Sequence, residues 1–139
     1  MTIHKLAAII TFMKASDLNK LFKGVVDGNE LSVLLEAEVN NYHRLLNKKG
    51  STIPLIFQED EDILINKNAL NRLLKETLEA RLSNVELAYI CDCLTLGERV
   101  NYKDEEVKDI VLDLAGPEIN GGHRTLDNIR NLFNQTTEY

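Results

Sequence analysis

The sequence predicts a mainly α, single-domain bundle of about six to seven helices, with room for a short β-ribbon near residues 53–65. Three observations predict it. Apolar residues recur at three- and four-residue spacing in one segment after another. Capping residues and glycines punctuate the ends of those segments. Proline occurs only twice and tryptophan not at all, which suits helices joined by short connections. A chain of 139 residues buries roughly two thirds of its unfolded surface, so residues 1–139 are read as one helical domain. With 44% hydrophobic and 27% charged residues, wholesale disorder is excluded.

Taken in order, Ile3, Leu6, Ala7, Ile10 and Met13 mark one face of a first helix. Ser16 is placed to cap a second, with Leu18, Leu21, Phe22 and Val25 inward and Asp27-Gly28 as its stop. A long third helix is predicted over 30–49, burying Leu31, Leu34, Leu35, Tyr42, Leu45 and Leu46. Lys48 and Lys49 suit the negative end of its dipole, and Gly50 suits its C′ position. Residues 53–57 and 63–65 are β-prone runs on either side of an acidic turn at 58–62. Pro54 confines the first run to an edge or to irregular structure, and a ribbon there would need helices for support.

Asn68 then caps a helix carrying Leu70, Leu73, Leu74 and Leu78. The next starts at Ser83 or Asn84 and is apolar nearly all round over 85–96, the mark of a helix at the centre of a bundle. Gly97 stops it, and residues 99–102 read as an extended link. Asp104, Glu105 and Glu106 sit at the positive end of a helix whose stripe is Val107, Ile110, Val111 and Leu114. Gly116-Pro117 ends it. Thr125 caps the last helix, with Leu126, Ile129, Leu132 and Phe133 inward and a frayed tail over 135–139. A faint echo links Ile65-Asn66-Lys67 with Val100-Asn101-Tyr102-Lys103. Each precedes a helix, a loop and another helix, though chance accounts for so short a match.

The formal net charge is −6, and it is unevenly spread. Residues 1–28 carry four Lys against two Asp, and residues 29–58 are balanced. The remainder holds nine basic and seventeen acidic groups. That half repels phosphate backbones, so direct nucleic-acid binding is not expected, while a basic protein would be steered toward it. Cys91 and Cys93 are too few and too close for a disulfide framework and read as core thiols in a reducing compartment. The apolar run at 6–13 is too short to span a bilayer and lacks a clear cleavage site, so a cytoplasmic protein without a membrane role is expected.

No catalytic signature runs through the chain, and no enzyme activity, cofactor or metal is expected. Glu59, Asp60, Glu61 and Asp62 are four carboxylates in succession. In an extended segment they point to opposite faces, so they do not converge on one cation and lack the spacing and glycine of an EF-hand loop. Cys91 and Cys93 lie about 200° apart on a helix, unsuited to one metal. Gly121, Gly122, His123 and Arg124 lead into a helix N-terminus, where an anion or a partner could be held, or where the loop simply enters the helix.

At Leu87-Ala88-Tyr89-Ile90, Asp104-Glu105-Glu106-Val107 and Gly116-Pro117-Glu118-Ile119-Asn120-Gly121, the chain resembles small acidic α-helical immunity proteins of bacterial toxin–immunity loci. The resemblance covers residues 85–133 or so. It implies an inhibitor that binds a toxin's nuclease domain, its acidic groups meeting the basic surface the nuclease needs for its own substrate. The expected contacts are then Glu59, Asp60, Glu61, Asp62, Glu118, His123 and Arg124, and reversing the acidic turn should weaken binding with folding intact. The alternative is a self-associating regulatory or structural helical domain, with the apolar helix at 85–96 partly in a homodimer interface.

Overall fold

The computed structural model describes residues 13–46, 56–116 and 124–137. Among these the chain forms six helices and one two-stranded parallel sheet, a mainly helical bundle. The elements are α1 (Ala15–Phe22), α2 (Gly28–Leu46), β1 (Ile63–Ile65), α3 (Lys67–Leu78), α4 (Asn84–Leu96), β2 (Val100–Tyr102), α5 (Glu105–Leu114) and α6 (Leu126–Thr136). The expected helix over residues 3–12, the cap at 48–50, the β-prone residues 53–55, the loop at 117–123 and the last two residues of the expected frayed tail lie outside the described residues.

Helix α4 is buried on nearly all sides, as its apolar circumference requires, while α3 is the helix that meets all the others. Leu87, Tyr89, Ile90, Cys91, Cys93 and Leu94 of α4 are all buried in one hydrophobic cluster that runs from Met13 to Ile129, and Ala88 is buried as well. The start of α4 is a full capping box: Ser83 Oγ accepts from Glu86 N at 3.0 Å, and Glu86 Oε1 accepts from Ser83 N at 2.7 Å. Asp104 and Thr125 cap α5 and α6 through Val107 N and Asn128 N. α3 packs most extensively on α6, and Asn71 fastens the contact by donating to Phe133 O, Thr136 Oγ1 and Thr137 Oγ1.

Several boundaries differ from the sequence expectation. α3 is capped by Asn66, whose Oδ1 accepts from Ala69 N at 2.8 Å, two residues earlier than expected. Asp27-Gly28 opens α2 rather than closing α1: Asp27 Oδ1 accepts from Glu30 N, and α1 ends at Phe22. Gly28 is needed there for room, because a Cβ would lie 2.9 Å from Arg81 Cβ and 3.1 Å from Glu76 Oε1. Val25 beyond α1, Leu34 on α2 and Leu126 at the start of α6 are exposed, against the inward positions their spacing predicts. In α2, Leu31, Leu35 and Tyr42 face inward as their spacing predicts, and Glu38 and Val39 join them.

Of the possible ribbon near 53–65, residues 53–55 lie outside the described residues. Its second run does form a strand, but β1 pairs in parallel with β2, the segment read as a link, in the register Ile63↔Val100, Leu64↔Asn101 and Ile65↔Tyr102. Parallel pairing needs a long crossover, and α3 and α4 supply it. Ile63 and Ile65 face the core while Leu64 faces outward, the alternation of a half-buried strand. The two segments that echo one another in sequence therefore lie side by side, each followed by a helix pair.

Candidate functional site

The acidic turn is built into the fold as a clamp. Gln58, just before it, forms a parallel bridge to Lys14, exchanging hydrogen bonds with Met13 O and Ala15 N at 2.9 Å each. α1 has no side-chain cap of its own at Lys14. Asp60 supplies one from a distance: its carboxylate accepts from Ser16 N at 2.9 Å and from Ser16 Oγ at 2.7 Å. Ser16 is thus capped rather than the cap. These bonds, the hydroxyl's foremost, hold the Asp60 pKa below its ordinary value.

The other three carboxylates reach different neighbours. Glu59 accepts from Glu98 N at 3.0 Å and from Arg99 N at 2.7 Å, fixing the chain between α4 and β2. Gly97 makes room for this, since a Cβ there would lie 2.9 Å from Glu59 Oε2 and 2.5 Å from Val100 Cγ2. Glu61 accepts from Asn19 Nδ2 at 2.9 Å. Asp62 pairs with Arg99 at 2.7 Å, and the same guanidinium donates to Glu59 O. The turn is consequently held on both sides while Asp60, Glu61 and Asp62 stay exposed. Arg99 is the one cation that pairs with it among the described residues, so it keeps a net negative charge.

Arg124 lies elsewhere, pinned by Asp113: its Nη2 donates to Asp113 O at 3.0 Å and Oδ1 at 2.6 Å. Glu118 and His123 lie outside the described residues, so of the expected contact set the structure gathers only the four turn carboxylates. The chain matches no family model, no curated protein and no solved structure. Among the described residues no His, Cys, Asp and Glu side chains gather as a metal-binding group, and no helix is long and apolar enough to cross a membrane. Cys91 and Cys93 are free, buried thiols; burial pushes Cys93 up to about 12, far from a reactive thiolate. Most of the apolar surface of α4 lies in the core, with Val85 half-buried at its start and Leu96 exposed at its end.

Sequence reasoning missed three carboxylates. Glu76 is buried on α3 and grips Arg81 and the start of α2. Glu86 is buried on α4 and accepts from the Ser32 hydroxyl of α2. Glu38 is buried on α2, where Met13 N donates to it at 3.1 Å and the Tyr89 hydroxyl donates to the same oxygen. Glu38 and Glu86 lie on core-facing positions of helices; in the sequence their only signal is a carboxylate interrupting an apolar stripe.

Proposed function

We propose that the chain is a non-enzymatic binding protein that neutralises a basic protein partner, a nuclease-type toxin domain being the partner its sequence resemblance implies. One observation carries this reading: an exposed acidic turn whose side chains are already ordered by internal hydrogen bonds. A pre-ordered charged surface loses little side-chain freedom on binding, and its field steers an oppositely charged partner to it. The acidic excess of residues 59–139 extends the same field.

The clamp changes which variants test this. Reversing Glu59 or Asp60 would release α1 or the α4–β2 connection, so such variants should lose stability as well as binding. Glu61 is the better probe, since a single hydrogen bond from a partly exposed Asn19 is all it forfeits. Bait carrying Glu61→Lys is expected to fold normally by circular dichroism. It should associate roughly tenfold more slowly at low ionic strength with a basic protein captured by the wild type from lysate of its source. Capture that ignores both salt and Glu61→Lys, or recovery of the chain alone, would overturn the reading.

A further inference from the structure

A second surface feature lies away from the turn. α2 and the start of α4 enclose two adjoining hollows of about 390 and 490 Å³, which share Ser32, Ser83 and Glu86. Val33, Val39 and Val85 give the first an apolar lining, and Leu126 borders the second. Val33 is the most exposed large hydrophobic side chain among the described residues, at 73%, and Leu126 is exposed at 57%. Along α2, from Asn29 to His43, the groove runs for about 21 Å, the length of a four-turn helix. Its ionisable lining is Glu36, Arg81, Glu86 and, at its far end, His43. Arg81 is already held by Glu76 and Glu79, and Glu86 by Ser32 and Ser83, which leaves the exposed Glu36 beside the apolar floor.

We infer that this groove between α2 and α4 is the anchoring surface for a basic amphipathic helix of a protein partner. The inference rests on the proposed binding role and gives it an apolar contact that the acidic turn lacks. A helix whose apolar stripe covers Val33, Val85 and Leu126 would set a Lys or Arg beside Glu36. The turn contacts the end of α4 and the groove its beginning, about 20 Å apart along a 13-residue helix. That separation lies within one protein–protein interface of ordinary size, about 800 Å² on each partner. The turn then governs approach and the groove governs residence.

The test uses a synthetic amphipathic peptide of about fourteen residues built from leucine and lysine, with a leucine–glutamate peptide of the same pattern as control. Backbone amide shifts of the full chain are followed by NMR during titration. The lysine peptide is expected to perturb Val33, Glu36, Asn40 and Val85, and the glutamate peptide to leave them unmoved. Val33→Asp should weaken binding about tenfold, while Val25→Asp, equally polar at another exposed valine, should not. Shifts confined to residues 59–62 would overturn the groove and leave the basic-partner reading standing. Equal binding of both peptides, or none of either, would count against both. Concentration-dependent shifts at Val33 without peptide would show a second copy of this chain as the occupant, and would likewise overturn the inference.

Discussion

Glu76→Ala is expected to lower the stability of the fold by about 3 kcal/mol, or about 10 °C in Tm for a domain of this size. The side chain is 2% exposed and its two oxygens are fully engaged. Oε1 accepts from Gly28 N at 2.6 Å and Arg81 Nε at 2.8 Å, and Oε2 accepts from Arg81 Nη2 at 2.7 Å. One carboxylate therefore caps the positive end of α2 and ties α3 to the turn that follows it. Removing it strands the amide of Gly28 in a buried position. Arg81 retains Glu79 and some access to water, which places the loss at the low end for a broken buried pair.

The pH dependence of that loss has a definite sign. The Arg81 hydrogen bonds, foremost, hold the Glu76 pKa below its ordinary value. A carboxyl whose pKa is depressed by folding contributes stability above its unfolded pKa, and that contribution disappears as pH falls through the folded value. Urea titrations should thus show the wild type losing stability on acidification, below the ordinary glutamate value of 4.5, with a shallower loss in Glu76→Ala. A loss below about 1 kcal/mol at neutral pH, with an unchanged acid limb, would reduce the pair to an ordinary surface bridge.

The contrast between local and remote capping explains much of what the sequence disclosed, although at α3 the local cap Asn66 competes with Asn68 two residues on. Helices α4, α5 and α6 carry their caps beside them, at Ser83, Asp104 and Thr125, and their starts were legible to within a residue. α1 borrows its cap from Asp60 across the acidic turn, and α2 adds Glu76 from α3 to its own Asp27. Nothing in the spacing around Ser16 or Gly28 records such a partner, so Ser16 was read as a cap and Asp27-Gly28 as a stop. Strand pairing failed for the same reason. Ile63 and Ile65 show their alternation locally, but a parallel partner beyond two helices leaves no mark on the strand itself. The four turn acids were recognisable as a charged feature because they are consecutive. Their division of labour among Ser16, Asn19, residues 98–99 and Arg99 belongs to the tertiary structure alone.

Glu38 should give the chain a second pH limb of opposite sign. It lies on the core side of α2, 9% exposed, with one oxygen receiving Met13 N and the Tyr89 hydroxyl. The other oxygen, Oε1, is buried without a hydrogen-bond partner among the described residues. Desolvation by this apolar surrounding outweighs the two donors and raises the carboxyl pKa above its ordinary 4.5, with Asp17 of α1 adding a smaller push in the same direction. A raised folded-state pKa means that the stability is complete below the unfolded value and drains away as pH climbs through the folded one. Wild-type stability should therefore decline as pH rises above about 4.5, and Glu38→Gln, which keeps an acceptor for both donors but cannot ionise, should abolish that decline. Tyr89→Phe should steepen it. The hydroxyl then no longer steadies the ionised carboxylate, and the ring contact with Tyr42, centroids 5.2 Å apart, is retained. Denaturant unfolding of the three proteins across this range decides the matter. A wild-type curve with no such decline would refute the raised carboxyl, and a decline that survives in Glu38→Gln would assign it to another group.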